Sequence, residues 1–276
     1  MPIPLNKHVK IWVNSRGIIP DKIVNRLLFQ RKIRPNDELT LFVNEQCLKN
    51  SKDKMITLNE HGIKIEIIEK KLTSKSTNSD SYLIELAKNI LTKAKNSSDV
   101  KDAVFFSDIF RMTEEVLKRG LYSDTDVIFL NNNTEPYIES IHYLYGNHNS
   151  LFFTDLVFDT AEDLYDIHIF GVDSFKRPDF HEKLVKELQK FYGAIAPSPD
   201  DSRLEPFPGM TFVHPILEQK NHGHLDFAAT RANIISGKDD SHIGGEDKLY
   251  ASDENDDLLN YAKSQMNNST FGHDKF

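Results

Sequence analysis

Two aspartates, Asp124 and Asp126, are the side chains best placed for chemistry in this sequence. They lie in the stretch VFFSDIFRMTEEVLKRGLYSDTDVIFL at positions 104–130, within a segment whose composition predicts a strand. Successive side chains of a strand point to opposite faces, so the two carboxylates are expected on one side, with Thr125 on the other. Carboxylate oxygens suit a divalent cation such as Mg²⁺ or Mn²⁺, which neutralises phosphate. A D-x-D pattern alone, however, is more often a solvated turn than a metal site.

The segment just before these aspartates predicts one helix, from about residue 100 to residue 118. Its apolar residues form two stripes at helical spacing, which indicates a helix buried between other elements: Phe105, Ile109, Met112 and Val116 in one, and Phe106, Phe110 and Leu117 in the other. The same spacing groups Asp108, Arg111 and Glu115 in a polar sector between the stripes. A carboxylate and a guanidinium on a buried helix need partners, which are either each other or a ligand.

The first half of the chain predicts an open α/β sheet covered by helices. Apolar runs predict strands at 9–13, 39–43, 63–68 and 121–130, and helical spacing predicts helices at 21–30 and 82–94 besides the one at 100–118. Residues 72–81 predict a loop, because Ser, Thr, Asn and Lys dominate them. Sheets of this kind bind ligands at the carboxyl ends of their strands.

The second half has weaker patterns. Strands are predicted at 151–153, 168–172 and 212–217, a helix at 180–192 and a proline-rich loop at 197–208. After about residue 236 the sequence is rich in Gly, Asp, Ser and Asn, apart from a short predicted helix at 257–266. We therefore expect one domain over residues 1–235 and a polar tail, or a lid over the site, at 236–276.

Composition narrows the classes of function. The 276 residues carry a formal net charge of −8, which gives no basic excess for nucleic acid. The single cysteine, Cys47, excludes an intrachain disulfide and a multi-cysteine zinc site, and we expect it to be a structural or surface thiol and not a nucleophile. Neither a signal peptide nor a transmembrane segment is recognisable. These features predict a protein of a reducing, aqueous compartment such as the cytoplasm.

Two motifs together resemble a known family. The sequences SDIFR at 107–111 and RGLYSDTDV at 119–127 are similar to the sugar-binding region with a DXD motif found in bacterial toxin and effector glycosyltransferases. The sequence KIWV at 10–13, followed by a helix that begins after a proline, also resembles the first strand of that family. The motifs occur in the family's order and span the first half of the chain, which is more specific than an isolated D-x-D.

The resemblance implies a glycosyltransferase-A-like fold, an open mixed sheet flanked by helices, that uses a UDP-sugar with Mn²⁺ or Mg²⁺. In this family pattern Trp12 would stack on the uracil, and Asp108 and Arg111 would hold the sugar and the adjacent phosphate. Asp124 would contact ribose and sugar hydroxyls and is also a candidate metal ligand. Asp126 would ligate the metal that bridges the diphosphate, in a reaction that retains the sugar's configuration.

The sequence departs from the family pattern at three places. Arg119 replaces the first glycine of the usual pair, and Ser123 replaces a larger apolar residue. The closing segment that supplies a further metal ligand in the family is not recognisable in the second half of the chain. The candidates for that ligand are His214 and His242, and, less directly, His222, His224, Asn233 and Ser241.

The expected activity is transfer of a hexose or N-acetylhexosamine from a UDP-sugar to an acceptor such as a protein side chain. The family resemblance adds a second possible location, a host cell reached by a secretion route without a signal peptide. Two alternatives stay open. Asp124 with the later pair Asp239-Asp240 faintly resembles the nucleophile motif of haloacid-dehalogenase-type phosphatases, and a degenerate transferase would bind a nucleotide sugar or a partner without turnover.

Overall fold

The computed structural model describes residues 3–4, 6–73, 78–97, 99–125, 127–129, 137–138, 141–143, 169–172, 179–206, 212 and 234–236. The strands in this part of the chain are β1 (Ile3–Pro4), β2 (Lys7–Trp12), β3 (Glu38–Val43), β4 (Ile63–Ile67), β5 (Leu121–Ser123), β6 (Val127–Phe129), β7 (Tyr137–Ile138), β8 (Ile141–Tyr143), β9 (Ile169–Val172) and β10 (Ile234–Ser236). The helices are α1 (Asp21–Ile33), α2 (Glu45–Asn50), α3 (Lys52–Glu60), α4 (Ile68–Lys71), α5 (Asn78–Asn96), α6 (Val100–Phe110), α7 (Glu114–Leu117) and α8 (Phe180–Tyr192).

Six of these strands form one mixed sheet in the order β4-β3-β2-β5-β9-β8. The first four strands are parallel to one another, whereas β9 runs antiparallel to both of its neighbours. The predicted fold class, an open mixed α/β sheet flanked by helices, is therefore confirmed. Two short antiparallel ribbons lie outside this sheet, β1 with β7 and β6 with β10.

Helices cover both faces of the sheet, so alternate residues of β3 belong to different hydrophobic clusters. On one face Leu41 of β3 packs with Leu27 of α1 and Leu58 of α3. On the other face Val9 and Phe42 pack with a larger cluster, whose helical members include Leu86 and Ile90 of α5, Phe106 and Ile109 of α6, and Leu184 and Leu188 of α8. This three-layer arrangement explains why the strands have apolar residues on both sides.

The order of the strands fixes one edge as the place for a ligand. The chain passes from β2 to β3 and β4 on one side, and later returns to place β5 on the other side of β2. Loops diverge where the strand order reverses, which leaves a crevice beyond the carboxyl ends of the two central strands. Strand β2 ends at Trp12, and β5 ends immediately before Asp124. Both residues therefore lie at the same edge of the sheet.

The region between β3 and β4 differs from the prediction, because two helices connect what was expected to be a pair of consecutive strands. The two strands are parallel, and a parallel pair needs a crossover connection. Helices α2 and α3 provide it, and they bury few side chains, among them Cys47, Met55 and Leu58. A second difference lies at α5, which begins at Asn78 within the predicted loop 72–81.

The single helix predicted at 100–118 is also wrong, because it breaks into α6 and α7. The hydroxyl of Thr113 donates to the Phe110 carbonyl oxygen at 2.8 Å, and a carboxylate oxygen of Asp80 accepts from the Glu114 amide at 3.2 Å. These side chains satisfy backbone groups that a continuous helix would pair. The break places Arg111 directly after α6 and puts Glu115 on the separate helix α7.

The strand predicted at 121–130 divides at the D-x-D motif. Strand β5 belongs to the main sheet, whereas β6 pairs with β10, with Val127 opposite Ser236. The motif therefore joins two different sheets instead of lying in one continuous strand. The alternation argument applies to Asp124, which follows β5 directly, and Asp126 lies outside the described residues.

Several predictions for the rest of the chain are confirmed. Helix α8 has the predicted bounds, β9 lies within the strand predicted at 168–172, and the described residues 193–206 form neither helix nor strand. Phe212 has helical geometry, which contradicts a strand at that residue. The elements predicted at 151–153 and 257–266 lie outside the described residues. Among the described residues, no helix has the length and apolar character that crossing a bilayer requires.

Cys47 is a buried thiol, which is the structural one of the two alternatives that the sequence left open. Burial raises the pKa of this thiol to about 12, because the thiolate would lose its hydration. A thiol with such a pKa is almost entirely protonated at neutral pH, so Cys47 serves packing and does not act as a nucleophile.

A buried histidine supports the other end of β2. His8 is 1% exposed, and its Nε2 lies 2.8 Å from an Asp37 carboxylate oxygen that also contacts Arg34. Burial lowers the pKa of His8 to about 4, which outweighs the opposing effect of its hydrogen bond to Asp37. His8 is consequently neutral in the folded protein at pH values where an exposed histidine begins to bind a proton.

This difference predicts a pH dependence of stability. Below its usual pKa of 6.5, His8 binds a proton in the unfolded chain but not in the folded one, so the free energy of unfolding falls as the pH drops toward 4. Its contribution should fall by about 2 kcal/mol between pH 7 and pH 5. Urea unfolding at both pH values should show this loss in the natural protein and a smaller loss in His8→Gln. Equal losses in the two proteins would contradict the assignment.

Gly120, which precedes β5, fills a position that only glycine suits. Its φ is +145°, and a Cβ there would lie 2.3 Å from the Lys7 carbonyl oxygen of the neighbouring strand. At Gly62, φ is +79° and the nearest atom to a Cβ belongs to the end of the Arg31 side chain, at 3.1 Å, and not to backbone. The glycine of the family-like motif thus allows β5 to approach β2 closely.

Gly120→Ala should accordingly be much more harmful than Gly62→Ala. We expect a loss in the free energy of unfolding of about 3 kcal/mol or more for Gly120→Ala, because backbone must shift, against about 1 kcal/mol for Gly62→Ala. Urea unfolding of both variants tests this. Similar losses would show that the contact with Lys7 is not the constraint.

Candidate functional site

A buried guanidinium joins two carboxylates at the edge where β2 and β5 end. Arg111 Nη2 lies 2.8 Å from an Asp108 oxygen and 3.2 Å from an Asp124 oxygen. The Arg111 side chain is 4% exposed, whereas those of Asp108 and Asp124 are 14% and 23% exposed. The structure therefore brings together these three predicted site residues, and the carboxylates are the members that solvent reaches.

Tyr122 holds the carboxylate of Asp124 in place. Its hydroxyl donates to the Asp124 Oδ1 at 2.5 Å and lies 3.2 Å from the Ser107 hydroxyl. The Arg111 guanidinium lies 4.2 Å from the centre of the Tyr122 ring, a cation–π arrangement. Burial raises the pKa of Tyr122 well above its usual value, so its hydroxyl keeps the proton that it donates. Asp124 is thus oriented by two donors.

Arg111 is itself held in place by the turn that precedes it. Its Nε donates to the Ser107 carbonyl oxygen at 3.1 Å, and its Nη2 lies 3.2 Å from the Ser107 hydroxyl. These bonds, together with the carboxylates and the ring of Tyr122, leave the guanidinium little freedom to move. A group this constrained is suited to hold other groups in fixed positions.

Lys10 is a site residue for which the sequence analysis gave no role. Its Nζ donates to the Ser123 hydroxyl at 2.8 Å and to the Asp124 carbonyl oxygen at 2.8 Å, and both Lys10 and Ser123 are buried. The signal was available in the sequence, since Lys10 is a charged residue inside the apolar run of β2. A lysine within a central strand requires acceptors, and the end of β5 provides two of them.

Trp12 lies at the same edge and is half-buried. Its Nε1 donates to the Ile18 carbonyl oxygen at 3.0 Å, and the residue packs against the hydrophobic cluster around α1 and α3. Asn14 anchors the intervening loop, because its carbonyl oxygen accepts from the Gly17 amide at 3.0 Å and from the Asn44 side chain at 3.1 Å. The indole is therefore held rigidly while part of it remains accessible.

Arg119, which replaces a glycine of the family pattern, directs its side chain away from the site. Arg119 Nη1 lies 3.2 Å from an oxygen of Glu66 on β4, a carboxylate that Lys71 also contacts at 2.9 Å. These cations contribute to holding the pKa of Glu66 below its usual value, in spite of partial burial. Arg119 thus ties the turn before β5 to the opposite part of the sheet.

The donor set is compatible with a hard cation but incomplete in the described residues. Carboxylate oxygens are the ligands that Mg²⁺ and Mn²⁺ prefer, and Asp124 is partly accessible. Its Oδ1, however, already accepts from Tyr122. The described residues contain no group of three or more His, Cys, Asp or Glu side chains that could hold a metal ion. The remaining candidate ligands lie outside the described residues: Asp126, His214, His222, His224, Asn233, Ser241 and His242.

Replacing Arg111 should show how strongly the stability of the site depends on its guanidinium. Arg111→Met should lower the free energy of unfolding by about 3 kcal/mol at neutral pH, because two nearby carboxylates lose their cation. Asp108→Asn in the same chain should recover part of this loss, since one of the two charges is then removed. Urea unfolding of the single and double variants measures both effects. An Arg111→Met variant as stable as the natural protein would contradict this account of the cluster.

Comparisons with known proteins indicate likeness of fold without likeness of sequence. No protein-family model matches the sequence, and neither does any curated protein. Among solved structures, the PaToxG glycosyltransferase is similar, with 12% identity and a TM-score of 0.50 over 85% of this chain and 90% of that one.

The UDP-bound glycosyltransferase domain from the YGT toxin also aligns, with 12% identity over 82% of this chain and 55% of that one. Its TM-score of 0.32 is too low to support a statement about this chain. At such low identity the likeness to PaToxG concerns the fold. Over most of its length, this chain is therefore similar in fold to the PaToxG glycosyltransferase.

Proposed function

We propose that this chain is a metal-dependent glycosyltransferase that moves a hexose or N-acetylhexosamine from a UDP-sugar to an acceptor such as a protein side chain, with retention of configuration. The observation that carries the proposal is the Asp108–Arg111–Asp124 cluster, held at the edge where β2 and β5 end. This is the crevice in which open α/β sheets bind ligands. The name of the similar fold, PaToxG glycosyltransferase, agrees with it.

The two partly exposed carboxylates suit the hydroxyl groups of a nucleotide sugar. Carboxylates accept hydrogen bonds from hydroxyls, and Asp108 and Asp124 are already oriented by Arg111. Because Arg111 is 4% exposed, its main part is to hold these carboxylates in position, with its charge close to the sugar and the adjacent phosphate. Asp124 accordingly contacts ribose and sugar hydroxyls, and Asp108 contacts the sugar.

Trp12 is proposed as the wall against which the uracil stacks. Support comes from its place at the carboxyl end of β2 and from its rigid hold by the Ile18 carbonyl oxygen. A half-buried indole offers an apolar face without losing its packing against the core.

The proposed metal ligand is Asp126, with Mn²⁺ or Mg²⁺ as the ion. Asp124 is a weaker candidate, because its Oδ1 already accepts from Tyr122. The ladder between β6 and β10 supports a further ligand from the C-terminal segment, since it brings Ser236 opposite Val127, the residue after Asp126. Asn233, Ser241 and His242 are close to Ser236 in sequence, whereas His214 is more distant. When bound, such a metal stabilises the negative charge that develops on the departing diphosphate.

The phosphatase alternative is less well supported. A nucleophilic aspartate needs a carboxylate oxygen directed at the phosphorus atom, whereas one oxygen of Asp124 is engaged by Tyr122 and Arg111.

We propose that the chain acts in the cytoplasm, or in a host cell reached without a signal peptide. The polar segment at 236–276 is proposed as a tail or lid over the site of a domain at 1–235.

Binding of UDP and turnover of a UDP-sugar should both depend on the metal ion. Trp12 is the only tryptophan, so a change in tryptophan fluorescence on adding UDP with Mn²⁺ reports directly on its surroundings. UDP release from a set of UDP-hexoses and UDP-N-acetylhexosamines should require Mn²⁺ or Mg²⁺. Asp126→Ala should lower the rate by about a hundredfold or more without a comparable loss of stability.

Controls separate the alternatives. Asp99→Ala alters an exposed helix cap and should leave turnover unchanged, although it removes the hydrogen bond to the Lys101 amide. Binding of UDP without release from any donor would favour the degenerate transferase. Absence of both binding and release would refute the glycosyltransferase, and phosphatase turnover that Asp124→Asn abolishes would favour the phosphatase.

A further inference from the structure

Lys10 is a buried cation to which the roles proposed above give no task. It is 1% exposed, in the middle of a central strand whose neighbouring residues Val9 and Ile11 belong to the hydrophobic core. Taking an ammonium group out of water is unfavourable, and an apolar side chain of the same length would avoid that cost. The position of Lys10 therefore calls for an account in terms of the groups that it binds.

Lys10 acts where two paired strands separate. The ladder between β2 and β5 pairs His8 with Leu121 and Val9 with Tyr122, and β2 then continues to Trp12 while β5 ends. Beyond that ladder the Asp124 carbonyl oxygen accepts from Lys10 Nζ at 2.8 Å. Hydrogen bonds from an ionised donor are stronger than those between neutral groups. The ammonium thus holds the backbone of β5 just past the last paired residues.

The backbone and the side chain of Asp124 are held from opposite faces of the sheet. Alternation along β2 puts Lys10 on the face opposite Val9, and its partner Ser123 is fully buried there. The Asp124 carboxylate is held on the other face, by Tyr122 and Arg111. Two independent contacts therefore define the direction in which the chain leaves β5.

We propose that Lys10 is a positioning residue, which fixes the Asp124 backbone and thereby aims the D-x-D segment at the diphosphate of the nucleotide. This inference rests on the proposed function, because it assumes that the segment meets a metal-bound diphosphate. The base of the nucleotide depends on Trp12 instead, and the ribose meets the Asp124 carboxylate, which Tyr122 and Arg111 hold independently of Lys10. Lys10 should therefore affect binding of the phosphate-bearing part of the ligand and leave binding of the nucleoside nearly unchanged.

Lys10→Met tests this division, because methionine keeps most of the length and removes the charge and the donor. Affinity for UDP with Mn²⁺ should fall by about tenfold or more, while affinity for uridine should change by less than about twofold. Calorimetry measures UDP, and quenching of the Trp12 fluorescence compares it with uridine. Thermal unfolding reports whether the variant is folded. A general loss of structure would weaken both ligands equally, so the ratio of the two affinities identifies positioning.

Two further variants keep the test decisive. Lys93→Met removes a lysine that donates to a backbone carbonyl oxygen, that of Leu204 at 2.5 Å, on α5 outside the site; both affinities should stay at the natural values. Ser123→Ala removes one of the two acceptors that the described residues offer Lys10 and should weaken UDP binding by about threefold with little effect on uridine.

The outcomes separate this inference from the proposed function. If the natural protein binds no UDP with Mn²⁺, the proposed function fails. If it does bind, a folded Lys10→Met with the natural UDP affinity, or with equal losses for UDP and uridine, overturns the positioning role. If Lys10→Met does not fold, Ser123→Ala decides in its place, and an unchanged ratio of affinities overturns the inference.

Discussion

The need to balance the buried positive charge of Arg111 determines how the site is built. Arg111 is almost excluded from water, and a buried cation requires acceptors close to it. One carboxylate comes from the preceding turn of α6 and the other from the residue after β5, so the end of that helix must lie against the end of that strand. The break between α6 and α7 fits this requirement, because Arg111 is released from the helix at the point where Asp124 can reach it.

Separation of β2 and β5 gives this cluster an opening. Parallel strands that stayed paired to their ends would satisfy their own backbone groups and leave little space between them. Here Gly120 allows close approach at the start of β5, and Lys10 replaces the missing strand neighbour at its end. The groups on both sides of the crevice between Trp12 and Asp124 are therefore fixed in position. Polar side chains can discriminate among ligands when they are held in this way.

The parts of the fold that could be predicted are those whose pattern is set by burial against the sheet. Strands β2, β3 and β4 and helix α8 have regular apolar spacing, because each packs one or both faces on a neighbouring layer. Helices α2 and α3 bury too few residues to produce such a pattern. The break after α6 depends on Asp80, a residue distant in sequence, so local spacing predicted a continuous helix.

The site shows the same limit. Spacing of three residues predicted that Asp108 and Arg111 would meet. The strand order that places Trp12 and Asp124 at one edge is seen only in the structure. The contact between Arg111 and Asp124, and the hold of Lys10 on the Asp124 carbonyl oxygen, are tertiary contacts, and no local period encodes them. A charged residue inside an apolar strand was the available clue to Lys10, because burial of its charge required acceptors that only another strand could supply.

The D-x-D motif connects two sheets, so its two aspartates adjoin different parts of the fold. Asp124 follows a central strand and is tied by its carboxylate and its carbonyl oxygen to groups in the interior. Asp126 precedes β6, whose partner is a strand from the far end of the chain. Under the proposed function, the hydroxyl-binding part of the site is preformed, whereas the metal-binding part is coupled to the C-terminal segment.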